Sequence, residues 1–196
     1  MVESAQTNPM GTNRTANPIG IFGAMSDDGD ERPVLLPAFA DMMLGRLATW
    51  LRLIGADVAY SNDIDDDTLL RRADGERRLV LTRDRAMIDR VCEIPRYFVR
   101  WNRLDDQLRD IVEHFDVTTF VPFSRCLRCN VPVRDVEKDA VRQRLWPYVY
   151  QTQKRIRECP ACRRLYWGAT HAERARDDLA RMTNPEFAAI VFGNIR

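Results

Sequence analysis

Val34-Leu35-Leu36-Pro37-Ala38-Phe39-Ala40-Asp41, with Met43 to Ile54 behind it, sets the fold class. The first seven residues form a short apolar run and read as a buried strand. Pro37 lacks an amide donor, so this strand either starts late or lies at a sheet edge. In the next stretch Leu44, Leu47, Ala48, Leu51 and Ile54 recur at intervals of three and four, the period of a helix with one apolar face. Gly55 supplies its stop. Outward from this pair the texture repeats. Val58-Ala59-Tyr60 reads as a second strand, and Asp65 or Asp66 opens a helix through Leu69, Leu70 and Ala73 that ends near Gly75. Leu79-Val80-Leu81 is a third strand, and Asp84 opens a helix to about Val91. Tyr97-Phe98-Val99 is a fourth strand, followed by a helix from Leu104 to Phe115. Strands alternating with helices of about ten residues predict an α/β fold, a parallel sheet with helices on both faces.

Beyond Pro122 the pattern changes. Cys126-Leu127-Arg128-Cys129 and Cys159-Pro160-Ala161-Cys162 are two paired cysteines separated by 29 residues. Each Cys-x-x-Cys turn presents two sulfurs to one ion, and two such turns complete a tetrahedron. The expectation is a closed, structural Zn²⁺ site in a small zinc ribbon. Within it, Val136–Arg142 reads as a short helix and Tyr148–Gln151 as a strand, with a last helix from about Ala172 to Met182. Asn184-Pro185 breaks that helix. The fifth cysteine, Cys92, stands apart and reads as a small buried residue.

The segments expected are therefore a disordered leader over 1–32, an α/β domain over 33–122, a ribbon with terminal helix over 123–183, and a tail over 184–196. The leader is poor in large apolar residues and rich in Ser, Thr, Asn, Gly, Pro and Asp. No run approaches the roughly 20 apolar residues of a membrane span, and no basic start leads an apolar block. The expected compartment is the cytoplasm, where thiols bind metal in preference to pairing. The net charge of +1 conceals a polarity. Residues 1–122 carry 15 Arg against 21 acids, whereas 123–183 carry 14 Lys and Arg against 7 acids. An acidic part joined to a basic part suits a metal-dependent enzyme acting on a polyanion.

Open parallel sheets bind ligands beyond the carboxyl ends of their strands. Asp41 follows the first strand, Asp63, Asp65, Asp66 and Asp67 the second, and Asp84 the third. Carboxylates brought together there repel one another unless a hard cation such as Mg²⁺ or Mn²⁺ sits among them. Such an ion activates water and steadies the leaving oxygen of a phosphodiester. Helix capping is the competing role for Asp65, Asp66 and Asp84. Arg46, Arg52 and Arg83 lie close by in sequence, placed for phosphate contact or for a solvated helix face. Arg125, Arg128, Arg163 and Arg164 flank the two cysteine pairs and are candidate RNA contacts, as is His171.

Phe39-Ala40-Asp41-Met42-Met43-Leu44-Gly45-Arg46, Trp50-Leu51-Arg52 and Gly55-Ala56-Asp57 together resemble the opening of the Mut-seven carboxy-terminal RNase domain, a PIN-like nuclease module. The likeness continues through Leu81-Thr82-Arg83-Asp84, the two cysteine pairs, and Tyr166-Trp167 with Thr170-His171, over roughly residues 35–182. It implies a PIN-like three-layer α/β/α fold, a divalent-metal site and ribonuclease activity. It maps the metal-binding acids onto Asp41, one or more of Asp65 and Asp66, and Asp84. Two departures stand out: Met42 where the family usually has Gly, and Ala169 where it usually has another. The expected function is cleavage of single-stranded RNA at an acidic Mg²⁺ or Mn²⁺ site, with the basic ribbon gripping the backbone. The rivals on the same fold are a non-catalytic RNA- or ribosome-binding module and a protein-interaction adaptor.

Overall fold

The computed structural model describes residues 32–168 and 170–193, with the side chains of Thr170 and His171 outside that description. The predicted leader therefore lies outside the described residues, apart from Arg32. Four short strands form one fully parallel sheet: β1 (Ala38–Ala40), β2 (Val58–Tyr60), β3 (Leu79–Thr82) and β4 (Arg96–Phe98), in the order β2-β1-β3-β4. Between and after them come α1 (Gly45–Ile54), α2 (Asp66–Gly75), α3 (Arg85–Asp89) and α4 (Leu104–His114). Of the two alternatives that Pro37 left open, the late start holds. The strand begins at Ala38 and is central, while Val34 makes only an isolated bridge to Asp116.

Alternation along the strands sorts their side chains to two faces. Ala38, Ala40, Leu79, Leu81 and Tyr97 pack with α1 and α4, while Phe39 and Val80 pack with Leu69, Leu70 and Ala73 of α2 and Met87 of α3. Sandwiched on both faces, β1 and β3 are buried throughout, as parallel strands require. Burying each of Leu44, Leu47, Leu51 and Ile54 on the α1 side of the sheet contributes about 1.5–3 kcal/mol.

Two glycines fix how α1 begins and ends. A Cβ at Gly45 would lie 2.7 Å from the Tyr60 hydroxyl. Gly55 ends the helix at φ +107°, and a Cβ there would meet the Val121 carbonyl oxygen at 2.4 Å. The chain leaving α4 thus crosses directly over the end of α1, where the Phe123 amide donates to Leu53 O at 2.8 Å.

A second, antiparallel sheet of β5 (Arg134–Val136), β6 (Ile156–Glu158) and β7 (Leu165–Trp167) follows, in that order. A 3-10 helix (Asp139–Arg144) and α5 (Pro147–Thr152) cover it through Val141, Leu145, Val149 and Ile156. Two expectations are corrected here. The helix placed at Val136–Arg142 starts later, and Tyr148–Gln151 is helical. Pro147 occupies the first turn of α5, where its fixed φ suits a helix start and its missing amide is not needed.

The chain then returns to the first sheet. α6 (Thr170–Met182) packs on α4, and Ala175 and Leu179 enter the main core. The segment read as a tail is α7 (Pro185–Gly193), whose Phe187, Ala188, Val191 and Phe192 are buried. Asn184 starts this helix, its side chain accepting from the Phe187 amide at 2.7 Å. Among the described residues no helix is long and apolar enough to cross a membrane.

Candidate metal centres

The two cysteine turns have the same backbone plan. Cys126 N donates to Val131 O and Asn130 N to Cys126 O, while Cys159 N donates to Arg164 O and Arg163 N to Cys159 O, all at 2.8–2.9 Å. The amides of Cys129 and Cys162 point at Cys126 Sγ and Cys159 Sγ, at 3.3 and 3.4 Å. The residue closing each turn is left-handed, Asn130 at φ 64° and Arg163 at φ 63°. Asn tolerates that conformation better than Arg does. The four sulfurs lie within 4.8 Å of one another, and Cys126 Sγ is 3.7 Å from Cys162 Sγ. A tetrahedron with Zn–S bonds of about 2.3 Å has edges of about 3.8 Å, so the donor set fits zinc.

The electrostatics agree with a bound dication. Burial pushes the Cys126 thiol up, but the Tyr166 hydroxyl, 3.0 Å away, and the amides of Cys129 and Arg128 outweigh it and lower it to about 6. Burial and the neighbouring sulfurs push Cys129 up to about 12. Four thiolates this close repel one another, and a dication would offset their charge.

The ribbon is bolted to the sheet by buried polar groups. Arg52, 4% exposed, donates from Nε to Val58 O at 2.7 Å and from Nη1 to Leu127 O and Arg128 O at 2.9 and 3.1 Å. Burial lowers its pKa. This overturns its expected role as a phosphate contact, because its donors serve three carbonyls inside the fold. Arg125 is similarly committed, to Asp57 at 3.2 Å and Asn130 O at 2.7 Å. Asn130 also spans the junction, accepting from Val58 N at 3.0 Å and donating to Asp57 at 2.7 Å. Arg128 and Arg164 are exposed beside the two turns, and Arg163 pairs with the buried Glu158 at 3.1 Å. The side chain of His171 lies outside the described residues. Cys92 is half-buried against Arg96, more open than expected.

The acids lie along the other candidate feature, the carboxyl edge of the parallel sheet. Because β1 and β3 are neighbours, Asp41 N donates to Leu81 O at 2.9 Å and the two strand ends meet. Asp41 is 4% exposed. Its Oδ1 accepts from Met43 N at 2.6 Å, and its Oδ2 accepts from the Thr82 hydroxyl and from Arg83 N at 3.0 Å. Thr82 Oγ1 in turn accepts from the Asp84 backbone amide at 2.9 Å, so one hydroxyl ties the Asp41 carboxylate to the main chain at Asp84. Asp84 caps α3 through Ala86 N at 2.8 Å, and Asp65 caps α2 through Thr68 N at 2.9 Å. That amide bond holds the Asp65 carboxyl below its usual range.

Two features of this edge escaped the sequence reading. Arg90 pairs with Asp67 and lies 3.9 Å from Asp66, its charge strengthened by these acids and by Asp84. Asp105 and Asp106 open α4 just beyond β4, so the rule that found the other acids would have found these. Arg83 reaches across from β3 to Asn102, while Arg46 is exposed in the first turn of α1. Met42 is 59% exposed. Among the described residues, the group of three or more potential ligands that converges is the four cysteines; Asp41, Asp65, Asp66 and Asp84 do not form one.

A family model, the Mut7-C RNAse domain, matches residues 38–179. No curated protein and no solved structure matches the chain.

Proposed function

The chain belongs to the Mut7-C RNAse domain family, whose model spans more than half of it, and from that premise we propose that it is a divalent-metal-dependent ribonuclease acting on single-stranded RNA. The observation that carries the reading is the Asp41–Thr82–Asp84 link at the carboxyl edge. It ties the Asp41 carboxylate to the Asp84 main chain, and so sets both residues on neighbouring strand ends, where parallel sheets bind ligands. In this reading Asp41 and Asp84, with Asp65 and Asp66 alongside, would hold Mg²⁺ or Mn²⁺. Asp84 uses Oδ1 for its cap, and a carboxylate has about four acceptor sites, so both acids keep an oxygen lone pair for a hard cation. When bound, such an ion supplies an activated water and charge stabilisation for a leaving oxygen.

The chain's own residues do the rest. Met43 N, Arg83 N and the Thr82 hydroxyl orient the Asp41 carboxylate so that its spare lone pair has one direction. Arg46, exposed at the start of α1, stands beside the edge as a phosphate fork. The four cysteines would hold Zn²⁺ as a structural ion, and Arg128, Arg163 and Arg164 would grip the RNA backbone. Residues 33–122 with α6 and α7 form the nuclease module in this reading, and the cysteine-bearing segment forms the grip.

Asp84→Asn is the clean test. Asn caps a helix about as well as Asp, so the fold is kept while a metal ligand is lost. Asp41→Asn is less clean, since an amide cannot accept from all three of its donors. The expected result is loss of Mn²⁺-dependent RNA cleavage in Asp84→Asn with RNA binding and unfolding midpoint unchanged. Full cleavage by Asp84→Asn sinks the site assignment, and a wild type that binds RNA but cleaves none with any divalent ion favours a binding module.

A further inference from the structure

A cavity of about 660 Å³ lies where three parts of the molecule meet, and neither metal centre accounts for it. Trp50 and Leu53 of α1 form one wall, Tyr166 and Trp167 of β7 another, and α6 closes the third with Ala172 and Arg174. The volume is in the range of small-molecule sites, roughly 300–1,000 Å³. Its lining mixes flat rings with cations: Arg155, Arg157 and Arg174 against one carboxylate, that of Asp178. Asp135 holds Arg155 in a two-point pair at 2.7 Å, and Arg157 donates to Phe123 O at 3.1 Å. These partners set the planes of both guanidinium groups at the cavity wall.

Aromatic faces beside fixed guanidinium groups are how proteins receive unstacked bases of single-stranded nucleic acid. We propose that this cavity takes one unpaired base of the RNA strand, stacked on Trp50 and Trp167, with its phosphate beside Arg174. The proposal rests on the ribonuclease reading and deepens it. Trp50 lies nine residues after Asp41, mostly along one helix, so the cavity is roughly 13 Å from the acids at about 1.5 Å per residue. It also borders β7, next to the four-cysteine turns. A strand held by the ribbon and reaching the acids would leave a base here, as a register pin. A docked protein helix would suit a long apolar groove better than a half-open junction of three elements that carries three guanidinium groups.

The test uses the full chain without added Mg²⁺ or Mn²⁺, so that binding is read apart from cleavage. Fluorescence anisotropy compares a single-stranded RNA with a strand of the same length carrying phosphates and abasic sugars. The wild type should prefer the base-bearing strand by about tenfold or more, the effect of stacking one base. Ala172→Trp, which fills the cavity from a partly exposed helix position, should bind both strands alike at the abasic level. Trp50→Leu should do the same, and agreement of the two guards against a folding defect in either. Equal binding of both strands by the wild type overturns the proposal, as does a retained preference in both variants. If cleavage is intact in those cases, the ribonuclease reading stands and only the pocket falls. A wild type that neither binds nor cleaves RNA removes both. Binding of an apolar amphipathic peptide that Ala172→Trp blocks, with RNA binding unchanged, overturns the proposal in favour of a protein cleft.

Discussion

Arg52→Met isolates the junction between the parallel sheet and the first cysteine turn. The native guanidinium serves a fully buried carbonyl, Val58 O, and two partly buried ones in the turn itself, Leu127 O and Arg128 O. A hydrogen bond from a charged donor contributes about 1.5–3 kcal/mol, and each of the two less buried bonds about 0.5–1.5. Methionine fills much of the same volume and donates nothing. Relief of the buried charge offsets part of the loss, leaving a destabilisation of about 2–4 kcal/mol. Urea unfolding should show that as a lowered midpoint. Because two of the lost bonds lie between Cys126 and Cys129, zinc transfer to a chromogenic chelator should also run several-fold faster than in wild type. Arg52→Lys should fall between, since an ammonium cannot span all three carbonyls. An unchanged midpoint and zinc release rate, with RNA binding reduced, would refute this reasoning and return Arg52 to the phosphate-contact role.

Metal analysis of the purified protein should give about one zinc per chain, and Cys159→Ser should lose it together with the fold of the antiparallel sheet. Gly55→Ala should cost more than the usual helix-cap change of about 1 kcal/mol, because strain at positive φ adds to the clash with Val121 O; a midpoint equal to wild type would contradict the close approach. Asp57 is half-buried, which raises its carboxyl, but bonds to Arg78 and Asn130 and the charge of Arg125 outweigh this and depress it. Its contribution is present above the unfolded carboxyl value of about 3.9 and is lost as pH falls through the lower folded value. Asp57→Asn should therefore flatten the acid limb of the stability curve below about pH 4, and an unaltered limb would show that other carboxylates control it.

The α/β class was legible because its signal is local. Apolar runs of three or four residues alternate with a 3.6-residue period, and Asp65 and Asp84 punctuate the helix starts. The cysteine centre was legible from spacing alone. The antiparallel sheet was not, since β6 reads Ile-Arg-Glu, with one apolar residue to mark it. Tyr148-Val149-Tyr150 carries strong strand propensity, yet packing of Val149 beside Val141 and Leu145 won over that preference. Asn184-Pro185 was read as a stop when it is a start, with Asn at the cap and Pro at the first helical position. Arg52 was misread because two of its three partners lie 75 and 76 residues away, beyond anything periodicity reports. At the carboxyl edge, position was predictable and pairing was not: the Thr82 bridge and the Arg90 counter-charge depend on strand register and loop path.

The return of α6 and α7 to the first sheet makes the principal core discontinuous along the chain. The apolar faces of α1 and α4 wait for Ala175, Leu179, Phe187, Val191 and Phe192 to cover them. In vectorial synthesis, about 80 residues separate Val112 from Phe192, which is roughly 4–16 s at about 5–20 residues per second. The nascent chain carries its acids throughout that interval on an unfinished scaffold, and the cysteine turns emerge before the scaffold closes. Phe123, at the entrance to the first turn, packs edge-on against Phe192 with ring centroids 5.8 Å apart. Final closure thus brings the last helix against the chain leading into the cysteine turns. A chain built this way completes its core only when α7 has left the ribosome, so a product truncated before α7 lacks the covered core on which its carboxylate edge is mounted.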